Sequence, residues 1–459
     1  MEADLNKNLE QLADHYRERL LREENLDRLT ALPRAELQQT LSKLVQSMLA
    51  EEKQILTRLD RENLLALILN ESVGYGPLEP LLNDATVSEI MVNGAEEVYA
   101  ERQGRLELTD VRFRDQAHVR HIISRIIAPI GRRIDESSPM VDARLPDGSR
   151  VNAVIPPVSL SGPVLTIRKF FRERLTLDDL IHFGSLSEAM AEFVQATVKA
   201  KVNILISGGT GSGKTTTLNI LSSFIPEGER IITIEDMAEL NLGRRHVLGL
   251  EARPANVEGR GEIPIRQLVR NALRMRPDRI IVGEVRGDEA LDMLQAMNTG
   301  HEGSLTTVHA NTPEDAFARL EAMVLMAGAN LSVQVIREHI ASAIHLVLQT
   351  ERLSDGSRKV MSIAEVHGFR EGRTQVVDLF RFQRHGMRGD GRVAGGFHPT
   401  GTVPALLERM KVFGVAVPES LFLQGVPGVP GVPGAQGADG EKATPPVDRG
   451  AQAAGGRWG

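Results

Sequence analysis

Apolar residues recur at helical spacing from Leu5 to about Asn70: Leu37, Leu41, Leu44, Val45 and Met48 fall on one face, Pro33 interrupts the run, and Asp60 stands where it can cap a last helix. The pattern predicts an amphipathic helical appendage over residues 1–72, whose stripe marks a packing or oligomer face and carries no chemistry of its own. After Gly74-Tyr75-Gly76-Pro77 the texture changes to short β-like runs, at residues 89–92, 97–100 and 164–167, broken by Asn93-Gly94 and Pro146-Asp147-Gly148. Residues 73–168 therefore read as a small mixed α/β domain and residues 169–185 as a linker. From Leu186 onward, β-branched runs at 202–206, 230–234 and 279–282 alternate with helical stretches, the rhythm of a parallel sheet covered by helices. That α/β domain is predicted over residues 186–385, with its chemistry at the C-terminal ends of the strands. A strand pair is expected at 360–366 and 374–382, a helical extension at 386–424, and a flexible tail at 425–459. Glycine recurs at every third position from Gly425 through Gly440, but a triple helix needs many more triplets.

Length and composition narrow the classes. A chain of 459 residues with 41% hydrophobic residues can fill two or three cores. The formal charge of -7 argues against a protein that coats nucleic acid, although a local basic groove stays possible. With no cysteine, disulfides, cysteine-bound zinc and thiol catalysis are excluded, which fits a reducing compartment. The start, Met1-Glu2-Ala3-Asp4, lacks the basic and apolar segments of a signal peptide, and apolar runs such as 64–69 are far too short to span a bilayer. Any membrane contact is expected to run through a partner.

The strongest chemical signal is Gly208-Gly209-Thr210-Gly211-Ser212-Gly213-Lys214-Thr215-Thr216, which follows an apolar strand and opens a helix, the context a Walker A loop requires. Its glycines let backbone N–H groups wrap a polyphosphate at a helix N-terminus. Lys214 is placed to bridge the β- and γ-phosphates and Thr215 to ligate Mg²⁺, so ATP and Mg²⁺ are the expected ligands. Hydrolysis also needs a carboxylate at the end of a neighbouring strand. Glu235-Asp236 follows one strand, and Glu284, with Arg286 just beyond, follows another. Two histidines, His301 in Thr299-Gly300-His301-Glu302-Gly303-Ser304 and His309 in Thr306-Thr307-Val308-His309-Ala310-Asn311, could each donate a hydrogen bond near the γ-phosphate or be structural. Arg144, Arg150 and Arg168 could fold over the nucleotide or be ordinary surface arginines. The run Arg260, Arg266, Arg270, Arg274, Arg276 and Arg279 reads as a solvated or subunit-facing helix in preference to a phosphate-backbone stripe, because aromatic residues are scarce, at 4%.

The ordered set of residues 208–216, Ile234-Glu235-Asp236, Arg276-Pro277-Asp278-Arg279 through Glu284-Val285-Arg286-Gly287, and 306–311 resembles the type II/IV secretion ATPase family. In that family the four blocks are the Walker A, aspartate box, Walker B and histidine box. Gly74-Tyr75-Gly76-Pro77-Leu78, Met91-Val92-Asn93-Gly94, residues 145–152 and Phe397-His398-Pro399-Thr400-Gly401 resemble its CpaF-type branch, which drives assembly of Flp (tight-adherence) pili. The resemblance implies a RecA-like motor domain preceded by a smaller α/β domain. It further implies a homohexamer seated on an inner-membrane platform protein at the cytoplasmic face, with no stable nucleic-acid partner. It assigns Glu284 as the catalytic carboxylate, Glu235 as a holder of metal and water, and His309 as the histidine-box residue. In such a ring Arg144, Arg150 or Arg168 would meet a nucleotide held between domains or subunits. Two other readings stay open: a motor that moves DNA in type IV secretion, and a nucleotide-gated scaffold with little turnover.

Overall fold

The computed structural model describes residues 9–423, apart from 10–11, 14, 17, 21, 23–33, 53–55, 73, 103, 171–174, 256–259 and 329. The tail expected at 425–459 lies outside the described residues. The chain divides into two compact units, Met1–Arg174 and Leu175–Gly459.

The first unit opens with helices α1 (Arg34–Glu51) and α2 (Arg58–Ser72). The stripe of Leu37, Leu41, Val45 and Met48 is buried with Leu64, Ile68 and Tyr16 in a core of its own. Asp60 does not cap α2: the Thr57 hydroxyl accepts from the Asp60 N–H at 3.1 Å and donates back to the Asp60 carboxylate at 2.6 Å. Strands β1 (Val87–Asn93), β2 (Glu97–Arg102), β3 (Arg105–Leu108), β4 (Met140–Arg144), β5 (Arg150–Val154) and β6 (Val164–Arg168) form one antiparallel sheet in the order β3-β2-β1-β6-β5-β4. Alternate residues, among them Ile90, Val92, Val151, Ala153, Leu165 and Ile167, pack against helix α3 (Gln116–Ile127), leaving the other face of the sheet polar at one end.

The second unit is a RecA-like α/β domain. Strands β7 (Ile204–Gly208), β8 (Ile231–Glu235), β9 (Val247–Glu251), β10 (Arg279–Val285), β11 (Leu305–His309) and β12 (Leu346–Arg352) run parallel, and β13 (Arg358–Arg370), β14 (Arg373–Met387) and β15 (Val393–Pro399) extend the sheet antiparallel. The order is β15-β14-β13-β12-β7-β11-β10-β8-β9. Helices cover both faces: Ile204 and Ile206 point into a core with α4 (Glu188–Lys199) and α5 (Lys214–Ser222). Leu205 points into another, built with α6 (Ile265–Ala272), α7 (Glu289–Asn298), α8 (Pro313–Met326) and α9 (Val333–Ala343). Burial on both faces explains why β7 and β8 read as unbroken apolar runs.

Residues 386–399, expected to be helical, continue the sheet through the end of β14 and β15. Phe382 and Phe397 pack together with ring centroids 5.0 Å apart and planes tilted by 54°. A Cβ on Gly395 would come within 2.4 Å of Phe382, so glycine is what lets the ring lie across the neighbouring strand. The predicted extension is helical only from α10 (Leu406–Val412) onward. The arginine run also differs from expectation. Arg279 is fully buried, and Arg266 and Arg270 both bind Asp292 on α7, at 2.7 and 3.0 Å; Arg260, Arg274 and Arg276 are exposed. No helix among the described residues is long and apolar enough to cross a membrane.

Candidate active site

Parallel strands end together, and the registers show which residues share that edge. His309 on β11 and Thr350 on β12 flank Gly208, the last residue of β7. One strand further, Val282 and Val285 of β10 lie beside β11, and Ile234 of β8 lies opposite Val282. The edge therefore gathers the residue 208–216 loop, Glu235, Glu284 and His309.

The loop has the shape a polyphosphate requires. Gly211 and Gly213 adopt φ of 68° and 95°, a region costly for residues with a Cβ, and Gly213 caps α5. Gly208 is fixed by packing: a Cβ there would lie 2.3 Å from Thr350 Oγ1 and 2.4 Å from Ser212 Oγ, whereas one on Gly209 would meet nothing within 4 Å. Thr350 Oγ1 donates to the Ser207 carbonyl at 3.0 Å and lies 2.9 Å from Ser212 Oγ. Lys214 Nζ donates to the carbonyls of Gly208 and Gly209 at 3.0 and 2.9 Å, so its ammonium lies within the loop, and Thr215 and Thr216 follow in the first turn of α5. Thr210 is the exposed residue of the loop. Backbone amides at a helix N-terminus, two left-handed glycines and an inward lysine fit a nucleotide's phosphates.

Glu235 is 4% exposed, and its Oε1 accepts from the N–H groups of Glu239 and Leu240 at 2.7 and 2.9 Å. Burial outweighs those hydrogen bonds and, with the nearby charges of Glu239 and Glu251, raises its pKa from 4.5 to about 7. The glycine before Glu284 has a steric cause: a Cβ on Gly283 would press 2.9 Å from Glu235 Cγ across the strand pair. The β10–β11 ladder is interrupted between Val282 and Val285, and there the hydroxyls of Thr306 and Thr307 take the carbonyls of Val282 and Gly283 at 2.9 and 2.7 Å. Glu284 lies within this break, inside β10 and not after its end as the sequence suggested, with Oε2 accepting from Arg286 at 2.6 and 3.0 Å; Arg286 also reaches Asp236 at 3.8 Å. Among the described residues no group of three or more His, Asp and Glu is placed to hold a metal ion.

His301 is not part of this edge. It precedes β11 while His309 ends it, and the loop around His301 packs at the opposite edge, where Asn203 Oδ1 accepts from the N–H groups of Gly303 and Ser304. Arg144, Arg150 and Arg168 belong to the first unit, where they form a row: Arg144 is opposite Arg150, and Arg150 opposite Arg168. Glu89 continues the row and lies 3.6 Å from Arg168.

The profile of the family described as "Type II/IV secretion system protein" matches residues 71–388. The chain belongs to that family. Over 332 residues it is 40% identical to the Putative conjugal transfer protein MT3759 of Mycobacterium tuberculosis (strain CDC 1551 / Oshkosh), with 71% of this chain and 93% of the relative covered. It is 33% identical over 325 residues to the Conjugal transfer protein TrbB of Rhizobium radiobacter, covering 70% and 96%. Among solved structures, the VirB11 ATPase of the Brucella suis type IV secretion system in complex with sulphate is 30% identical and covers 63% of this chain and 95% of its own, with a TM-score of 0.35.

In this type II/IV secretion family member, several residues that touch the site lie outside the four sequence blocks. Thr350 and Arg358 contact the loop from β12 and β13. Gln349 donates to the carbonyls of Ala310 and Asn311, at 3.3 and 2.9 Å, behind His309. Glu289 accepts from the N–H groups of Arg286 and Gly287, at 2.6 and 2.9 Å, and so holds the turn that presents Arg286. Of these, only Glu289 had a local signal, an acidic residue at a helix start.

The raised pKa of Glu235 makes stability depend on pH. A carboxyl whose folded pKa lies above its unfolded value binds more protons in the folded state, so its contribution falls as pH rises between 4.5 and about 7 and is constant above. At about 1.4 kcal/mol per pH unit this amounts to a loss on the order of 3 kcal/mol. Urea unfolding of wild type and Glu235→Gln from pH 5 to 8 should show the variant gaining relative stability with pH. Parallel curves would mean that Glu235 is ionised throughout.

Proposed function

We propose that the protein hydrolyses MgATP and couples turnover to movement of its smaller domain, residues 73–168, against a motor domain over residues 186–385. The convergence of the residue 208–216 loop, Glu235 and Glu284 on one edge of a parallel sheet carries this reading, and family membership supports it. The loop amides from Gly209 to Thr216 and Lys214 would hold the phosphates. Mg²⁺, held through Thr215 with Glu235, would supply neutralising charge on the β- and γ-oxygens. Glu284 would accept a proton from the attacking water while Arg286, bound to its Oε2, fixes its direction. His309 would donate a hydrogen bond to the γ-phosphate. Arg144, Arg150 or Arg168, a concentration of charge on one sheet face, would pair with phosphate across a domain or subunit boundary.

The assembly we propose is a homohexamer at the cytoplasmic face of the inner membrane, acting on a platform protein in Flp-type pilus assembly, the CpaF-type role. The conjugal-transfer names of the relatives favour a second reading, a motor for DNA-linked type IV secretion. Steady-state ATPase assays of wild type and Lys214→Ala, with light scattering on the same samples, separate these readings from a scaffold. The motor predicts turnover by an ATP-dependent oligomer that is lost in the variant, and stimulation by duplex DNA would favour conjugation over pilus assembly. A wild type that binds ATP yet stays monomeric and inactive, with membranes added, would replace the motor with a nucleotide-gated scaffold.

A further inference from the structure

The residue 208–216 loop is gripped from one side by an element that none of the four sequence blocks contains. Strands β12 and β13 form a hairpin whose last register pair is Arg352 opposite Arg358. Arg358 Nε donates to the Gly211 carbonyl at 2.9 Å, and its Cδ lies 3.4 Å from where a Cβ on Gly213 would stand. Arg352 Nη1 lies 3.6 Å from the equivalent point on Gly211. Two residues before Arg352 on β12, Thr350 bonds Ser212 and the Ser207 carbonyl. Three side chains of one hairpin thus meet the loop at Ser212 and at both left-handed glycines.

The hairpin is itself anchored. Leu353 is buried, and its N–H donates to the Ser357 carbonyl at 2.8 Å. In the turn, Asp355 accepts from Ser357 N and Oγ at 2.9 and 2.6 Å and from Val393 N of β15 at 2.8 Å. Glu351 pairs with Arg384 of β14 at 2.6 Å. Two guanidinium groups placed by one hairpin beside a loop shaped for phosphates bring planar paired donors to the rim of that loop, the geometry that suits a polyphosphate.

We infer that this hairpin is a phosphate clamp supplied in cis: Thr350 and Arg358 are positioning residues that set the shape of the loop, and Arg352 and Arg358 add charge to the site beyond that of Lys214. The inference rests on the nucleotide-binding part of the proposed function. It also gives the antiparallel extension β13–β15 a task, since that extension holds the clamp from behind.

Titration of full-length wild type, Arg352→Ala, Arg358→Ala, Arg358→Lys, Thr350→Val and Lys214→Ala with ATP, ADP and adenosine, alongside urea unfolding, tests it. Loss of a charge-assisted hydrogen bond predicts roughly a tenfold to hundredfold weaker affinity of Arg358→Ala for ATP and ADP, with a smaller loss for Arg352→Ala. Adenosine affinity of both arginine variants should stay at the wild-type value, and each variant is titrated under conditions where its unfolding curve shows it fully folded. Arg358→Lys should recover part of the loss, because it keeps the charge but not the Nε–H bond to Gly211. If Lys214→Ala weakens ATP binding while both arginine variants bind it within twofold of wild type, the clamp is wrong and the nucleotide site stands. A wild type that binds no nucleotide overturns both. Equal losses for adenosine and ATP would reduce the hairpin to a structural support and overturn the phosphate role.

Discussion

Glu284→Gln is expected to bind ATP as wild type does and to hydrolyse it roughly a hundredfold to ten-thousandfold more slowly, the usual worth of a positioned general base. The change is nearly isosteric. Glutamine keeps an oxygen that can accept from Arg286, so the contacts now made at 2.6 and 3.0 Å need not be lost. It removes the negative charge that takes up a proton, and the side chain is only partly exposed, so water cannot simply substitute for it. Single-turnover hydrolysis with saturating ATP, together with a binding titration, separates loss of chemistry from loss of binding. Arg286→Ala is the necessary companion. If Glu284 acts only by holding Arg286, the two variants should fall equally; if Glu284 is the base, Arg286→Ala should lose much less. A Glu284→Gln protein that keeps a third or more of wild-type turnover would pass the base role to Glu235, whose raised pKa suits a proton acceptor near neutrality.

The parallel sheet was legible in the sequence because strands buried on both faces must be apolar along their whole length, and β7, β8 and β10 are short enough to stand out between helical stretches. The residue 208–216 loop was legible because backbone wrapping of an anion demands glycine at fixed spacing. Gly283 was visible as an oddity before Glu284, but its reason was not: it lies in the register that sets β10 beside β8 and brings Glu235 Cγ against it. The two histidine candidates were alike by neighbourhood and differed only by direction, since one precedes a strand and the other ends it. Arg358 was invisible, standing 147 residues from the glycine whose carbonyl it binds, because nothing local announces that β12 pairs with β7. The strands at 386–399 were not legible because few apolar positions and many glycines leave no alternating pattern to mark them. One of those glycines, Gly395, makes room for the Phe382 ring, which only strand pairing brings beside it.

Glu229→Ala should destabilise the second unit by about 3–5 kcal/mol, the usual cost of stranding one member of a buried ion pair. Arg279 has no solvent exposure. Its Nε and Nη2 donate to the Glu229 carboxylate at 2.5 and 3.2 Å, and Nη1 donates to the carbonyls of Val198 and Gly303 at 2.7 and 3.2 Å. Two carbonyls cannot neutralise a guanidinium that has lost its carboxylate, and arginine cannot shed its proton to escape the cost. Arg279→Met on the Glu229→Ala background should therefore restore part of the stability, because it removes the stranded charge while leaving the Val198 and Gly303 carbonyls without their donor. Urea unfolding of the four proteins in a double-mutant cycle reads this directly. A cost below about 1 kcal/mol for Glu229→Ala would show that water reaches the Arg279 guanidinium and screens its charge. The pair sits at the opposite edge of the sheet from Gly208 and Glu284, where Gly303 leads into β11. The folded fraction of Glu229→Ala should accordingly keep wild-type affinity for ATP, and weakened binding would mean that the two edges of the sheet are coupled through β11.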